Sequence, residues 1–219
     1  MKIFPRSYPS FSLIALVLVA LMGAPGAMET RSWAQEQPAG NIKIPQGTLD
    51  AVTAILTRRS IRDYTPRPVP EETIKLLLTA GMAAPSAFDE RSTEFVVVND
   101  PKILKEFPKV NPKSLQLKKM TVGIVVCGNQ AKEKFKGQGY WQLDGAVASE
   151  NILIAANALG LGAVWTAIYP YPDRIPMVQK LLNLPPEVIP LNIIPIGHPA
   201  ERKMTGNRFD PARAHDNRW

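Results

Sequence analysis

Residues 139–170 read GYWQLDGAVASENILIAANALGLGAVWTAIYP. The first part is predicted as the longest helix of the chain, residues 140–159, with Gly160 in the C-terminal cap position. Its side chains are apolar or small nearly all round: Gly145, Ala146, Ala148, Ser149, Ala155, Ala156 and Ala158. A helix of this kind is buried, and small residues let a second helix approach closely. The pattern does not say against what it is buried, so a monomer core and a dimer core both fit. Residues 163–169 are predicted as a strand. A buried helix feeding a strand calls for a layered mixture of the two elements.

Outward from that segment the mixture continues. Leu49, Val52, Ile55 and Leu56 form one helical face, with Thr48 as the expected cap and the helix ending near Arg58. Pro70 suits a first helical position, and Glu71 and Glu72 favour the positive end of the helix that follows. Ile74, Leu77 and Leu78 supply its apolar stripe, and Pro85 stops it. Strands are expected at 94–99, 122–127 and 190–197, and helices at 100–107 and 175–184. Mixed elements in this order give an α+β or α/β protein in three layers.

The chain has 219 residues, 45% of them hydrophobic and 21% charged, which suits one domain with a substantial core. The net charge of +7 is not gathered in one block. Residues 102–136 are lysine-rich but interleaved with apolar residues, as on a solvated face, and no nucleic-acid-binding signature accompanies them. The lone Cys127 rules out an intramolecular disulfide and lies in an apolar run, as a buried thiol does. His198 and His215 lack metal-ligand spacing, so no metal is assigned.

The N-terminus has a different character. Lys2 and Arg6 precede ten unbroken apolar residues, 13–22, and Ser32-Trp33-Ala34 places small residues at a cleavage site. Residues 1–34 read as a secretory signal peptide, with an uncleaved membrane anchor as the alternative. Cleavage lowers the net charge from +7 to +5 by removing Lys2, Arg6, Glu29 and Arg31. An exported, periplasmic location follows from that reading, with no membrane attachment after cleavage. Residues 35–47 are a polar linker, and residues 48–219 are the folded domain.

No Gly-x-Gly-x-x-Gly fingerprint opens a helix after a strand, and there is no nucleophile elbow or phosphate loop. What stands out is TRRSIRDY, residues 57–64. Arg58, Arg59, Ser60 and Arg62 offer forked donors and a hydroxyl suited to phosphate oxygens. Cations at a helix C-terminus also have a plain electrostatic explanation, so the stretch alone leaves both readings open.

Its companions carry more. RRSIRDYTPRPVPEETIKLLLTAGMAAPSAFDERSTEFVVVND, residues 58–100, resembles the N-terminal half of the FMN-dependent nitroreductase family. Residues 139–170 resemble that family's central helix and following strand. PIGHPAERKMTGNRFDPARAHDNRW, residues 195–219, resembles its C-terminal arm, including the closing Asn-Arg-Trp of a short subgroup. The resemblance implies an α+β, three-layer fold with a mixed, mainly antiparallel central sheet, a buried central helix and a homodimer. It implies that Arg58, Ser60 and Arg62 bind the phosphate and ribityl chain of FMN, with Arg59 beside them and Arg208 returning to the phosphate. Pro85, Ser86 and Ala87 match the loop lining the flavin ring. Ala163, Val164, Trp165 and Thr166 match the strand end facing its reactive edge.

The implied activity is hydride transfer from NADH or NADPH through FMN to a nitroaromatic, a quinone or a related small acceptor, by a ping-pong route. An exported flavin-binding protein with little turnover is the alternative. Because the flavin carries the hydride, no catalytic His, Cys or carboxylate pair is required. Three departures from the family pattern stand out. Asp89 replaces an asparagine and can only accept hydrogen bonds when ionised. Arg91-Ser92-Thr93 replaces glutamine-proline-tryptophan. Gly206 replaces a lysine, for which Lys203 is a nearby candidate.

Overall fold

The computed structural model describes residues 43–219. The signal-peptide segment and most of the linker lie outside the described residues. Helix α1 (Ala51–Thr57) is capped by Asp50, whose carboxylate accepts the Thr53 N–H at 2.9 Å. The cap expected at Thr48 is therefore displaced by two residues, and the Thr48 hydroxyl donates back to the Pro45 carbonyl at 2.7 Å instead. Helix α2 (Glu71–Met82) begins after Pro70 and carries Glu71 and Glu72 in its first turn. It ends at Met82, with Ala83 as its cap, just short of Pro85.

The predicted helix at 100–107 is two short ones, α3 (Pro101–Leu104) and α4 (Phe107–Val110), followed by α5 (Gln116–Lys119). Helix α6 (Tyr140–Ala158) closes with Gly160 at φ 72°. The Gly160 and Leu161 amides donate to the carbonyls of Asn157 and Ala156, satisfying the exposed end of the helix. Helix α7 (Arg174–Leu182) carries Pro176 in its first turn.

Five strands form one sheet: β1 (Thr93–Val98), β2 (Val122–Asn129), β3 (Gly162–Ala163), β4 (Thr166–Ala167) and β5 (Val188–Gly197). The order is β1-β2-β5-β3, with β4 also on β5, and all these pairs are antiparallel. One parallel bridge, Ser60 to Ala163, extends it and makes the sheet mixed.

The single strand expected over 163–169 is split. Ala163 pairs with Ile196 and Thr166 with Ile193 in one continuous register, so Val164 falls opposite Pro195. Proline has no N–H to give, and the ladder breaks there. Pro190 marks a second irregularity, a register shift against Val126 and Cys127.

Alternation along β2 sorts the core into two layers. Val122, Ile124 and Val126 meet Ile74 and Leu77 of α2 and Ile152, Leu153 and Ala156 of α6. Val125 and Cys127 face Phe107, Val110, Leu117 and Val178 on the other side. Cys127 is fully buried, and desolvation pushes its thiol up to about 12, so it is inert packing. The α+β, three-layer expectation matches this arrangement.

Two apolar faces expected to be buried are open in the single chain. On α1, Val52, Ile55 and Leu56 are exposed around a buried Ala54. Helix α6 is covered on most sides, yet Leu143 is 61% and Val147 42% exposed. The apolar pattern reported burial correctly as a tendency, but α1 packs on α6, and α6 on α2 and the sheet, and each keeps one open strip.

Candidate functional site

The arginine-rich segment is pinned to the broken strand. Ser60 bridges Ala163, and the Ile61 N–H donates to the Ala163 carbonyl at 3.1 Å. Gly162 permits this approach. A Cβ there would sit 2.6 Å from Ile61 Cγ2 and 2.9 Å from Ile61 Cβ, too close for either to remain in place. A Gly162→Ala variant is expected to lose about 1–3 kcal/mol of stability and to hold residues 60–62 less firmly. Thermal unfolding reads the first effect, and a melting temperature equal to the parent's would contradict it.

Five cations gather at this end of the molecule. Arg58 Nε pairs with Glu150 of α6 at 2.9 Å. Arg59 Nε donates to the Met204 carbonyl at 2.8 Å, which ties the C-terminal arm to the segment. Desolvation, then the positive charges of Arg208 and Arg58, pulls the Arg59 guanidinium below its usual range. Lys203 Nζ donates to the Ser60 carbonyl at 2.8 Å, so the lysine suggested as a stand-in for Gly206 does reach the cluster. Arg62 donates its backbone N–H to Glu201. That bond holds the Glu201 carboxyl below the usual range, helped by Lys203 and opposed by desolvation. Arg59 and Arg208 have no carboxylate partner among the described residues.

Beside the cations lies the strand break. Val164 is buried and Trp165 half-buried, and outside the strand ladder their backbone groups make no backbone hydrogen bond among the described residues. The buried Val164 carbonyl, opposite a proline that has no N–H, calls for a partner. Thr166 is buried and fixed by Gln116 Nε2, which donates to its hydroxyl at 3.0 Å.

The loop of Pro85, Ser86, Ala87 and Asp89 forms a separate group. Asp144 of α6, itself buried, accepts the Ala87 N–H at 3.0 Å, while its second oxygen has no partner. Ser86 Oγ accepts the Arg91 N–H at 3.1 Å. Phe88, Asp89 and Arg91 all have φ near +50°. Three non-glycine residues in the left-handed region within four positions store strain of about 1–2 kcal/mol each. Arg91 forks onto Asp89 at 2.8 and 3.2 Å, holding that carboxylate below its usual range. Asp89 is thus engaged by Arg91. The loop borders a cleft of about 530 Å³ that includes Asp144 and Ala148.

No hydrogen bond or ion pair joins the two groups among the described residues. Both rest on helix α6, the loop on Asp144 and Arg58 on Glu150, six residues or roughly 9 Å further along it. Sequence reasoning missed Glu150, Asp144 and Gln116, which act from helices on the other side of contacts that only folding brings together.

Fold and site define a class: an α+β scaffold with a cationic crook beside the break in its sheet. Residues 55–139 match the nitroreductase family model. A protein of Methanothermobacter thermautotrophicus provisionally named NADH dehydrogenase/NAD(P)H nitroreductase is 46% identical over 171 residues, covering 78% of this chain and 88% of its own length. The chain belongs to the nitroreductase family. A crystal structure from Parabacteroides distasonis with the same provisional name is 45% identical, with a TM-score of 0.72 over 77% of this chain and 98% of that one. An FMN-dependent nitroreductase from Clostridium difficile is 27% identical, with a TM-score of 0.71 over 77% and 99%.

Proposed function

We propose that the protein is an FMN-dependent NAD(P)H oxidoreductase that works as a homodimer. The carrying observation is the strand break. The backbone at Val164 and Trp165, which leaves the strand opposite Pro195, lies against a segment where Arg59 and Arg208 lack carboxylate partners among the described residues. A flavin mononucleotide fits both demands. Its phosphate suits Arg58, Arg59, Ser60 and Arg208, and its ring edge offers donors and acceptors to residues 164–165. When bound, FMN supplies hydride acceptance and delivery.

The chain's own residues hold and orient the group. Lys203 fixes the Ser60 carbonyl, so the segment enters binding already shaped. Glu150 restrains the Arg58 guanidinium. The strained loop at 85–91 would meet the same flavin from the second subunit, uniting the two separated groups. The exposed apolar faces of α1 and α6 support that pairing, since burying them needs a second surface. In this reading a nicotinamide donor leaves before a quinone or nitroaromatic enters, and the kinetics are ping-pong.

We also propose export, on the pattern of Lys2, Arg6 and the apolar residues 13–22. N-terminal sequencing of protein recovered from a cell fraction tests it, with Gln35 as the expected first residue. Among the described residues no helix is long and apolar enough to cross a membrane. For the cofactor, a fluorescence-quenching titration of the apoprotein with FMN is expected to saturate at one flavin per chain. Absence of quenching would sink the proposal.

A further inference from the structure

The lysine-rich stretch that reads as a solvated face in the sequence builds one wall of a groove of about 560 Å³. Lys113 and Lys118 stand on that wall, and Arg62 and Glu201 lie opposite. The charge inside is unbalanced. Asp63 is already held by Lys119 at 2.8 Å, and Glu201 by Lys203 at 3.3 Å and the Arg62 N–H. Arg62, Lys113 and Lys118 have no carboxylate within ion-pair distance among the described residues. The groove also abuts the proposed flavin site. Gln116, in its lining, is bonded to Thr166, the residue after Trp165. Arg62 follows Ser60 by two residues on the segment bridged to Ala163.

We propose that this groove docks the phosphate-bearing half of the nicotinamide donor and favours the donor with a 2′-phosphate. The inference rests on the reading of the protein as an NAD(P)H oxidoreductase. A dinucleotide whose nicotinamide reaches residues 164–166 must lay its pyrophosphate and adenosine along some neighbouring surface. Here that surface carries uncommitted cations. Ammonium groups act as mobile point charges and suit a flexible polyphosphate. A 2′-phosphate adds close to two further negative charges at neutral pH, so it gains most from them. An uncharged quinone gains nothing.

The test uses the full-length, FMN-loaded protein and a Lys113→Ala, Lys118→Ala double variant. Both side chains are exposed, so the fold is not at stake. Calorimetric titration with adenosine 2′,5′-bisphosphate is expected to show binding roughly five- to tenfold weaker in the variant, the scale of two exposed charge pairs. The KM for NADPH should rise by a similar factor and that for NADH by less. Flavin content and the quinone KM should stay unchanged. A double Lys→Arg variant at the same positions should restore binding. Equal bisphosphate affinity in parent and variant, or no binding by the parent, overturns the proposal. Equal rises for NADH and NADPH overturn the 2′-phosphate preference. Bisphosphate binding is read without turnover, so the groove is judged even if the flavin reading fails. A flavin-loaded parent that oxidises NADPH, beside an indifferent variant, overturns the groove alone.

Discussion

Arg58→Ala and Arg208→Ala are each expected to weaken FMN retention by about 1.5–3 kcal/mol, the usual loss for a charge-assisted hydrogen bond, or about ten- to a hundredfold in affinity. Arg58→Ala should cost more. Arg58 is ion-paired with Glu150, so its removal also leaves that carboxylate facing the phosphate site. Arg208 has no carboxylate partner to release among the described residues. Its loss also relieves the repulsion felt by Arg59, which offsets part of the effect. Arg58→Lys should recover only part of the affinity, because a point charge cannot fork onto two phosphate oxygens. The measurement is a quenching titration of each apoprotein with FMN. Unchanged affinity in both alanine variants places the phosphate elsewhere.

Val147→Asp should abolish dimerisation and, with it, flavin retention. Val147 and Leu143 lie four residues apart on α6, on one exposed apolar strip. The exposed Val52, Ile55 and Leu56 of α1 supply further uncovered apolar surface. A carboxylate buried in such an interface without a partner costs several kcal/mol, more than a hundredfold in dissociation constant. In the single chain the same side chain is 42% exposed, so the subunit itself should keep its fold. Sedimentation reads the oligomer and circular dichroism the fold. A folded monomer that still holds FMN would contradict a shared site.

Much of this architecture is legible in the residues. The all-round small and apolar pattern of 140–158 and the cap at Gly160 locate α6 closely, because both follow from local geometry. The arginine segment, the loop at Pro85 and the late Arg208 mark the site's components in order along the chain. What the sequence hides is register and coverage. Pro195 is plain to read, but its effect on Val164 depends on which strand lies opposite, and so the broken strand reads as a whole one. The apolar stripe of α1 is equally plain, yet in the single chain it faces solvent. Its period reports a face without naming what covers it. Asp144 and Glu150 look like ordinary polar breaks in a buried helix. Only folding sets them beneath Ala87 and Arg58. The lysines of 102–136 look uniform in sequence, and only folding pairs Lys109, Lys119 and Lys132 with carboxylates while Lys113 and Lys118 have none among the described residues.

The central claim is that these residues hold a flavin that NAD(P)H reduces. Its most direct test is the visible spectrum of the purified protein, recorded without oxygen before and after adding NADPH and then a quinone. The account predicts a yellow protein whose flavin absorbance is bleached by the donor and restored by the quinone. A colourless protein that FMN cannot reconstitute contradicts it outright. A yellow protein that neither NADPH nor NADH bleaches contradicts the oxidoreductase and leaves a flavin-binding protein in its place.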